Sequence, residues 1–413
     1  MSEEKQPKIR FKGFDDPWEQ RKLGEVKTIK DGTHDSPRYV PKGYPLVTSK
    51  NLNDSGLNLS DVSYISESDF DSINKRSKVN VGDIIFGMIG TIGNPVLLDE
   101  SNFAIKNVAL LKNDGPIQNH WLIQYLKSDV FNRLTSEKTA GNTQKFIGLN
   151  VIRNLIIDTP SIHEQVIIGS FLKLTDSIIA ANQSKLEQLK RLKKLLMQKI
   201  FNQEWRFKGF TDPWEQRKLG EIFNIIDGDR GHNYPHESNF LESGNVLFLD
   251  TGNVKKNGFN FETQKYISDQ KDKQLKNGKL NVGDFVLTSR GTLGNVAYYD
   301  KSISQKFPEI RINSAMLILR KESSQHLSNL FLESSLRGKI IDNFMRNDHV
   351  GSAQPHITKK DFSKVKLNIP QLWMEQDKVG KIFQNIFILI AANQRRLDHL
   401  QSLKKYLMQN MFV

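Results

Sequence analysis

Residues 161–201 limit what this chain can fold into more than any other stretch does. No proline or run of turn residues interrupts Ser161 to Phe201. Its apolar residues recur at alternating steps of three and four, through Ile168, Leu172, Thr175, Ile179, Asn182, Leu186, Leu189, Lys193, Leu196 and Ile200. That spacing is a heptad seam and predicts one long helix packed along a partner. The partner is in the same chain. Adding 211 to each number gives Val379, Phe383, Ile386, Ile390, Asn393, Leu397, Leu400, Lys404, Leu407 and Met411. The two polar breaks, Asn182/Asn393 and Lys193/Lys404, recur too. Buried helix faces avoid Asn and Lys, so the repetition reads as a register device. Two ordinary core helices are the alternative.

The duplication extends beyond the helices. Arg10 to Val26 returns as Arg206 to Ile222 with 15 of 17 positions identical. Asp16 suits an N-cap, Pro17 the first helical position and Glu19 the returning arm of a capping box, so a short helix closing at Gly24 is predicted there. Short apolar runs follow as predicted strands: Pro45–Thr48, Val62–Ile65, Asp83–Phe86 and Pro95–Leu98. Gly82-Asp83 and Gly90-Thr91-Ile92-Gly93-Asn94 punctuate them and reappear as Gly283-Asp284 and Gly291-Thr292-Leu293-Gly294-Asn295. Glycines here fit either tight strand turns or a close approach to phosphate. His120 to Lys138 reads as one amphipathic helix. A loop then recurs as Gly141-Asn142-Thr143-Gln144 and Gly351-Ser352-Ala353-Gln354, and its amide suits a base edge or an ordinary solvated loop. Leu155–Ile157 and Val365–Leu367 read as closing strands that lead through Pro160 and Pro370 into the long helices. Between these shared signposts the halves differ. Asp31 to Tyr39 faces Asp227 to Tyr234, and Leu46 to Asn53 faces Val246 to Asn253, which suggests two modules doing one kind of job on different targets.

The net charge is +13 with a pI near 9.5, which favours an acidic partner, nucleic acid before membrane. With no cysteine, disulfides, zinc–cysteine sites and thiol catalysis are excluded, and a cytoplasmic location is expected. The longest apolar run, Ile386 to Ala392, is too short to span a bilayer. No phosphate loop and no Gly-x-Ser-x-Gly elbow occurs, and no Asn/Asp-Pro-Pro-aromatic stretch of the kind that holds a flipped base. His232 and His236 have ligand spacing but Pro235 lies between them, so no metal site is expected. Glu25-Val26-Lys27 looks like the tail of a nuclease motif but becomes Glu221-Ile222-Phe223 in the repeat. Lys185, Lys190, Arg191, Lys194, Lys199, Arg395, Arg396 and Lys405 crowd the long helices as solvated flanks or as a track near phosphates.

Two variable regions alternating with two like helices, each unit opened by Asp-Pro-Trp-Glu-Gln-Arg-Lys-Leu-Gly, resemble the specificity subunit of a Type I restriction–modification system. Gly-Asp with Gly-Thr-x-Gly-Asn, Gly-x-x-Gln, Pro…Glu-Gln and Leu-Lys-Lys-x-Leu-Met-Gln carry the resemblance, in the same order twice. It implies an α+β multidomain chain with a pseudo-twofold internal repeat, in which two mixed α/β target recognition domains are separated by two long helices forming an antiparallel intramolecular coiled coil. The divisions would be a leader 1–9, a first domain 10–159, a central helix 160–205, a second domain 206–369 and a C-terminal helix 370–413. Each domain would read half of a bipartite double-stranded DNA site and the helices would set the gap. Two modification subunits with S-adenosylmethionine, and two restriction subunits using ATP and Mg, would act as partners while this chain catalyses nothing. DNA contacts are expected at His34, Arg38, Thr48, Ser49, Lys50, Asn51, Thr91, Gln144 and Lys145. In the second domain they are expected at Arg230, His232, Asn253, Ser289, Arg290, Thr292, Gln354 and His356. A stand-alone DNA-modifying enzyme and a coiled-coil scaffold with no DNA role are the competing readings. Turnover by the chain alone would favour the former, and failure to bind any duplex the latter.

Overall fold

The computed structural model describes residues 6–53, 56–90, 92–138, 146–338, 340–341, 343–344 and 356–413. The chain divides into two compact units, Met1–Gln183 with Arg396–Val413, and Ser184–Arg395. The division passes through the interiors of the long helices Ile162–Phe201 and Trp373–Asn410, so each unit owns part of both. No helix among the described residues is long and apolar enough to cross a membrane.

The first unit is built around a four-stranded antiparallel sheet in the order Ile29–Asp31, Val108–Leu111, Ile84–Gly87, Gly93–Leu97. Ile84 and Phe86 face one apolar cluster and Ile85 the other, so this strand reads as a continuous apolar run. A second sheet places Tyr44–Val47 between Ser63–Ile65 and Ala104–Ile105, the latter running parallel to it. The second unit repeats the plan. Phe223–Asp227, Met316–Lys321, Phe285–Thr288 and Val296–Tyr298 form its antiparallel sheet, and Glu309–Ile312 runs parallel to Val246–Leu249.

The long helices pair antiparallel within each unit. In the first, Ile168 and Leu172 join Met408, Met411 and Phe412 in one core, and Lys404 forms an ion pair with Asp176. In the second, Phe201 stacks on Phe383 at 5.5 Å and Lys193 lies 4.8 Å over the Phe387 ring. The repeated seam lysine therefore meets a carboxylate in one unit and an aromatic face in the other. Along the seam Leu172, Leu186, Phe383, Ile390, Asn393 and Leu397 are buried. Ile179, Asn182, Leu189, Lys193, Leu196, Leu400, Lys404 and Leu407 are half-buried. Asn182 donates to Ile178 O and Asn393 to Leu389 O, so each amide bonds its own helix.

Three expectations need correction. Residues 16–24 are not a helix: Glu19–Lys22 is a strand paired antiparallel with Ile156–Thr159, followed by the short helix Leu23–Val26. The local capping pattern loses to a four-residue ladder with a distant partner. Gly24 is needed for contact rather than for a cap, since a Cβ there would lie 2.9 Å from Arg153 Cβ. His120–Lys138 is two helices, Asn119–Leu126 and Asp129–Lys138. Ser128 Oγ separates them, donating to Tyr125 O and accepting from Phe131 N. Finally, the match between the halves near Leu46 shifts by two residues, because strand Tyr44–Val47 corresponds to Val246–Leu249.

The shared signposts tie each domain to its helix. Arg10 Nε and Nη2 grip both oxygens of Glu164 at 2.9 and 2.8 Å, and Trp18 Nε1 donates to the same carboxylate at 3.2 Å. Arg206, Trp214 and Glu375 repeat the arrangement at the same three distances. The neighbouring glutamine is a second staple. Gln165 donates to Pro160 O and accepts from Gln118 N, as Gln376 does with Pro370 O and Ser328 N. Gly380, inside the C-terminal helix, lets helix Asn329–Leu336 approach closely. A Cβ there would stand 2.6 Å from the Leu330 carbonyl carbon and the Phe331 nitrogen. Gly380→Ala is therefore expected to destabilise the second unit by ~1–2 kcal/mol, the overpacking outweighing a helix-propensity gain of about 1 kcal/mol. A urea midpoint that rises instead would show that the helices separate freely.

Candidate nucleic-acid interface

In each unit, segments leaving the carboxyl ends of strands are laced into one platform. In the first unit these are the loop after Ile29–Asp31, the turn after Tyr44–Val47, the residues after Ala104–Ile105 and the loop after Ile84–Gly87. Lys106 N donates to Val47 O, Asn107 N to Thr33 O, Met88 N to Asn107 O and Ile147 N to Met88 O. In the second unit Asn313 N donates to Leu249 O, Gly228 N to Met316 O, Ser289 N to Ala315 O and Ile357 N to Ser289 O. Residues far apart in sequence thus converge twice by the same route.

The first platform holds a cleft of about 510 Å³ whose lining includes Tyr39, Thr48, Ser49, Lys50, Asp61 and Asn107. Ser49, which lines the cleft, has its Oγ buried without a hydrogen-bond partner. Asn51 helps build this cleft. It is 5% exposed, accepts from Thr48 N and Oγ1, and donates to Asn58 O and Asp61 O. Asn253 is equally consumed by Asp250 N, Asn260 O and Thr263 O. Ser289 is 1% exposed. Thr48 is half-buried, and Arg38 and Lys50 are exposed. In the second unit Arg230, His232, Arg290, Thr292 and His356 are exposed. Thr91, Gln144, Lys145 and Gln354 lie outside the described residues.

Gly90, Gly93, Gly291 and Gly294 all have positive φ, and the closing asparagines reach back, Asn94 to Leu52 O and Asn295 to Val254 O. The Gly-Asp pairs are turn anchors. Asp83 accepts from Asn80 N and Asn113 N and pairs with Lys112, while Asp284 accepts from Asn281 N and pairs with Arg320.

The loop after the first strand carries the sharpest correspondence. Gly32 and Gly228 press against the neighbouring strand end, where a Cβ would fall 2.4 Å from Ile105 O and 2.1 Å from Asn313 O. Two residues on, a basic side chain turns back. His34 Nε2 meets Asp31 Oδ2 at 2.8 Å and its Nδ1 meets Asn107 Oδ1 at 2.9 Å. Arg230 Nη2 meets Asp227 Oδ1 at 3.1 Å and Ser314 O at 3.3 Å. Burial pushes the Asp31 carboxyl up, but hydrogen bonds from Arg76 and His34 outweigh it, so its pKa lies below the usual carboxylate value. Sequence reading missed Asp31, Arg76, Asn107, Asp227 and Ser314. The repeated Asp-Gly was the visible signal, whereas the strand-end partners required the register. Among the described residues no cluster of three or more His, Asp or Glu is placed to hold a metal ion.

The sequence profile of the family described as "Type I restriction modification DNA specificity domain" matches residues 15–191 and again 211–402. Two type I restriction enzyme specificity subunits of Methanocaldococcus jannaschii are similar. MjaX is 24% identical over 422 residues, covering 95% of this chain and 92% of its own length. MjaVIII is 24% identical over 347 residues, covering 81% and 79%. Among solved structures, the Type-I restriction-modification system S subunit from M. genitalium is 18% identical and covers 99% of both chains with a TM-score of 0.67. A chain from a structure addressing complex assembly and conformational transition of the type I R-M system is 19% identical, covers 96% and 97%, and has a TM-score of 0.52.

Proposed function

The chain belongs to the Type I restriction–modification DNA specificity family, a non-catalytic DNA-recognition subunit, and from that premise we propose that each unit's loop platform reads one half of a bipartite, asymmetric duplex site. One observation carries this reading: the same platform is built twice in one chain on unlike side chains, so two different sequences are read by one scaffold. The paired helices set the gap between the half-sites, because forty helical residues form a stiff rod of roughly 60 Å.

Two modification subunits dock on the helices. Supporting this, exposed apolar residues recur away from the seam in both repeats, as Ile178/Leu389, Leu192/Leu403 and Leu195/Tyr406. S-adenosylmethionine for adenine methylation belongs to those partners. ATP and Mg belong to restriction subunits where these join, and this chain lends geometry alone.

The test is selection from a randomised duplex library by the full chain with its modification partners. A split motif should be enriched, and binding should fall steeply and linearly in log salt as counterions leave the phosphates. Enrichment of no split motif, or turnover of DNA by the chain alone, would sink the proposal.

A further inference from the structure

We propose that residues 34 and 230 occupy one and the same position in the two domains, and that there Arg230 reads a base and makes the second half-site carry a guanine, while His34 does not. The inference rests on the reading of each platform as a DNA-reading surface.

Equivalence follows from register, since sequence similarity here is slight. Asp31 pairs with Ala109 and Asp227 with Leu317 in matching antiparallel ladders. The chain then turns through a glycine pressed on a strand end, and the basic residue follows three positions after the aspartate. Its second contact falls on the same strand end in both domains, with a one-residue shift. Lys106 N bonds Val47 O and Asn313 N bonds Leu249 O, which aligns Asn107 with Ser314, whereas Met88 N on Asn107 O and Ser289 N on Ala315 O align Asn107 with Ala315, so the second domain carries one more residue here. His34 touches Asn107, and Arg230 touches Ser314.

The two side chains differ in what they leave for a ligand. Arg230 commits Nη2 to its two braces, and the rest of the guanidinium offers N–H groups with no acceptor among them. A donor-only group at a base edge matches N7 and O6 of guanine, the major-groove edge with two acceptors and no donor. Adenine and cytosine would set an amino group against it, and thymine offers the single acceptor O4 beside its methyl group, so guanine alone satisfies two donors. Both faces of the requirement are met: the side chain is 47% exposed, and the Asp227 carboxylate restrains its direction. His34 is also about half exposed, but both of its ring nitrogens are occupied by Asp31 and Asn107. It leaves no ring nitrogen for a base edge, so the first domain imposes no guanine at this position. Asp227 is a positioning residue, acting through Arg230.

The experiment is library selection and methylation-motif mapping with the full chain and its modification partners, comparing wild type, Arg230→Gln and Asp227→Asn. Arg230→Gln should relax one guanine position in one half-site, lowering discrimination there by about tenfold to a hundredfold. The other half-site, the gap and the salt slope should stay as in wild type. Asp227→Asn should loosen the same position and no other. A uniform loss of affinity on all sequences, with a salt slope lower by about one, would make Arg230 a phosphate contact and overturn the inference. An unchanged motif would overturn it as well, while leaving the functional reading intact. A wild type that enriches no motif would instead remove the functional reading itself.

Discussion

Glu375→Ala is expected to destabilise the second unit by about 2–4 kcal/mol, the cost of leaving a partly buried cation and an indole N–H without their acceptor. Glu375 is 2% exposed and accepts from both Arg206 nitrogens and from Trp214 Nε1, so its loss strands three donors at once. The site cannot rehydrate cheaply, because Leu196, Ile200, Trp205, Phe207 and Val379 line the small apolar hollow beside it. Glu164→Ala should do the same to the first unit, where Arg10 and Trp18 hold the same places. Glu237→Ala is the control. That side chain is 87% exposed and its contact with Lys265 is long, so a change within about 0.5 kcal/mol is expected. Urea unfolding followed by tryptophan fluorescence reads all three. Equal effects for Glu375 and Glu237 would mean that the clasp is decoration.

Deleting one heptad from each long helix, 180–186 and 391–397, is expected to change the recognised site by its gap alone. Seven residues remove roughly 10 Å of helix. At 3.4 Å per base pair that is about three base pairs. The deletions remove equivalent positions of both repeats and keep the heptad phase, so the seam closes on like residues. They leave both loop platforms untouched, so the half-site sequences should persist. Methylation mapping checks the outcome. An unchanged gap would show that something other than helix length measures the DNA, and altered half-sites would show that the helices reach into base reading.

The sequence by itself determined the architecture. A heptad seam present twice at an offset of 211, each copy opened by a proline and then Glu-Gln, can bury its stripe only against its own copy or an equivalent surface, and periodicity is a local property that needs no partner to be seen. The apolar runs at Tyr44–Val47 and Ile84–Gly87 were legible for the same reason. The tertiary structure decided whatever depended on partners far along the chain. Asp16 to Glu19 carries a sound capping pattern, yet the backbone of Glu19–Lys22 found a better set of hydrogen bonds on Ile156–Thr159. Asn51 and Asn253 look like base readers by composition, and only the closing of their loops shows the amides already spent. The correspondence of His34 with Arg230 was hidden because it lies in register and in strand-end contacts, while the residues themselves diverged. Helix periodicity is written in consecutive residues. A reading surface is assembled from strand ends, and the sheet alone decides which ends meet.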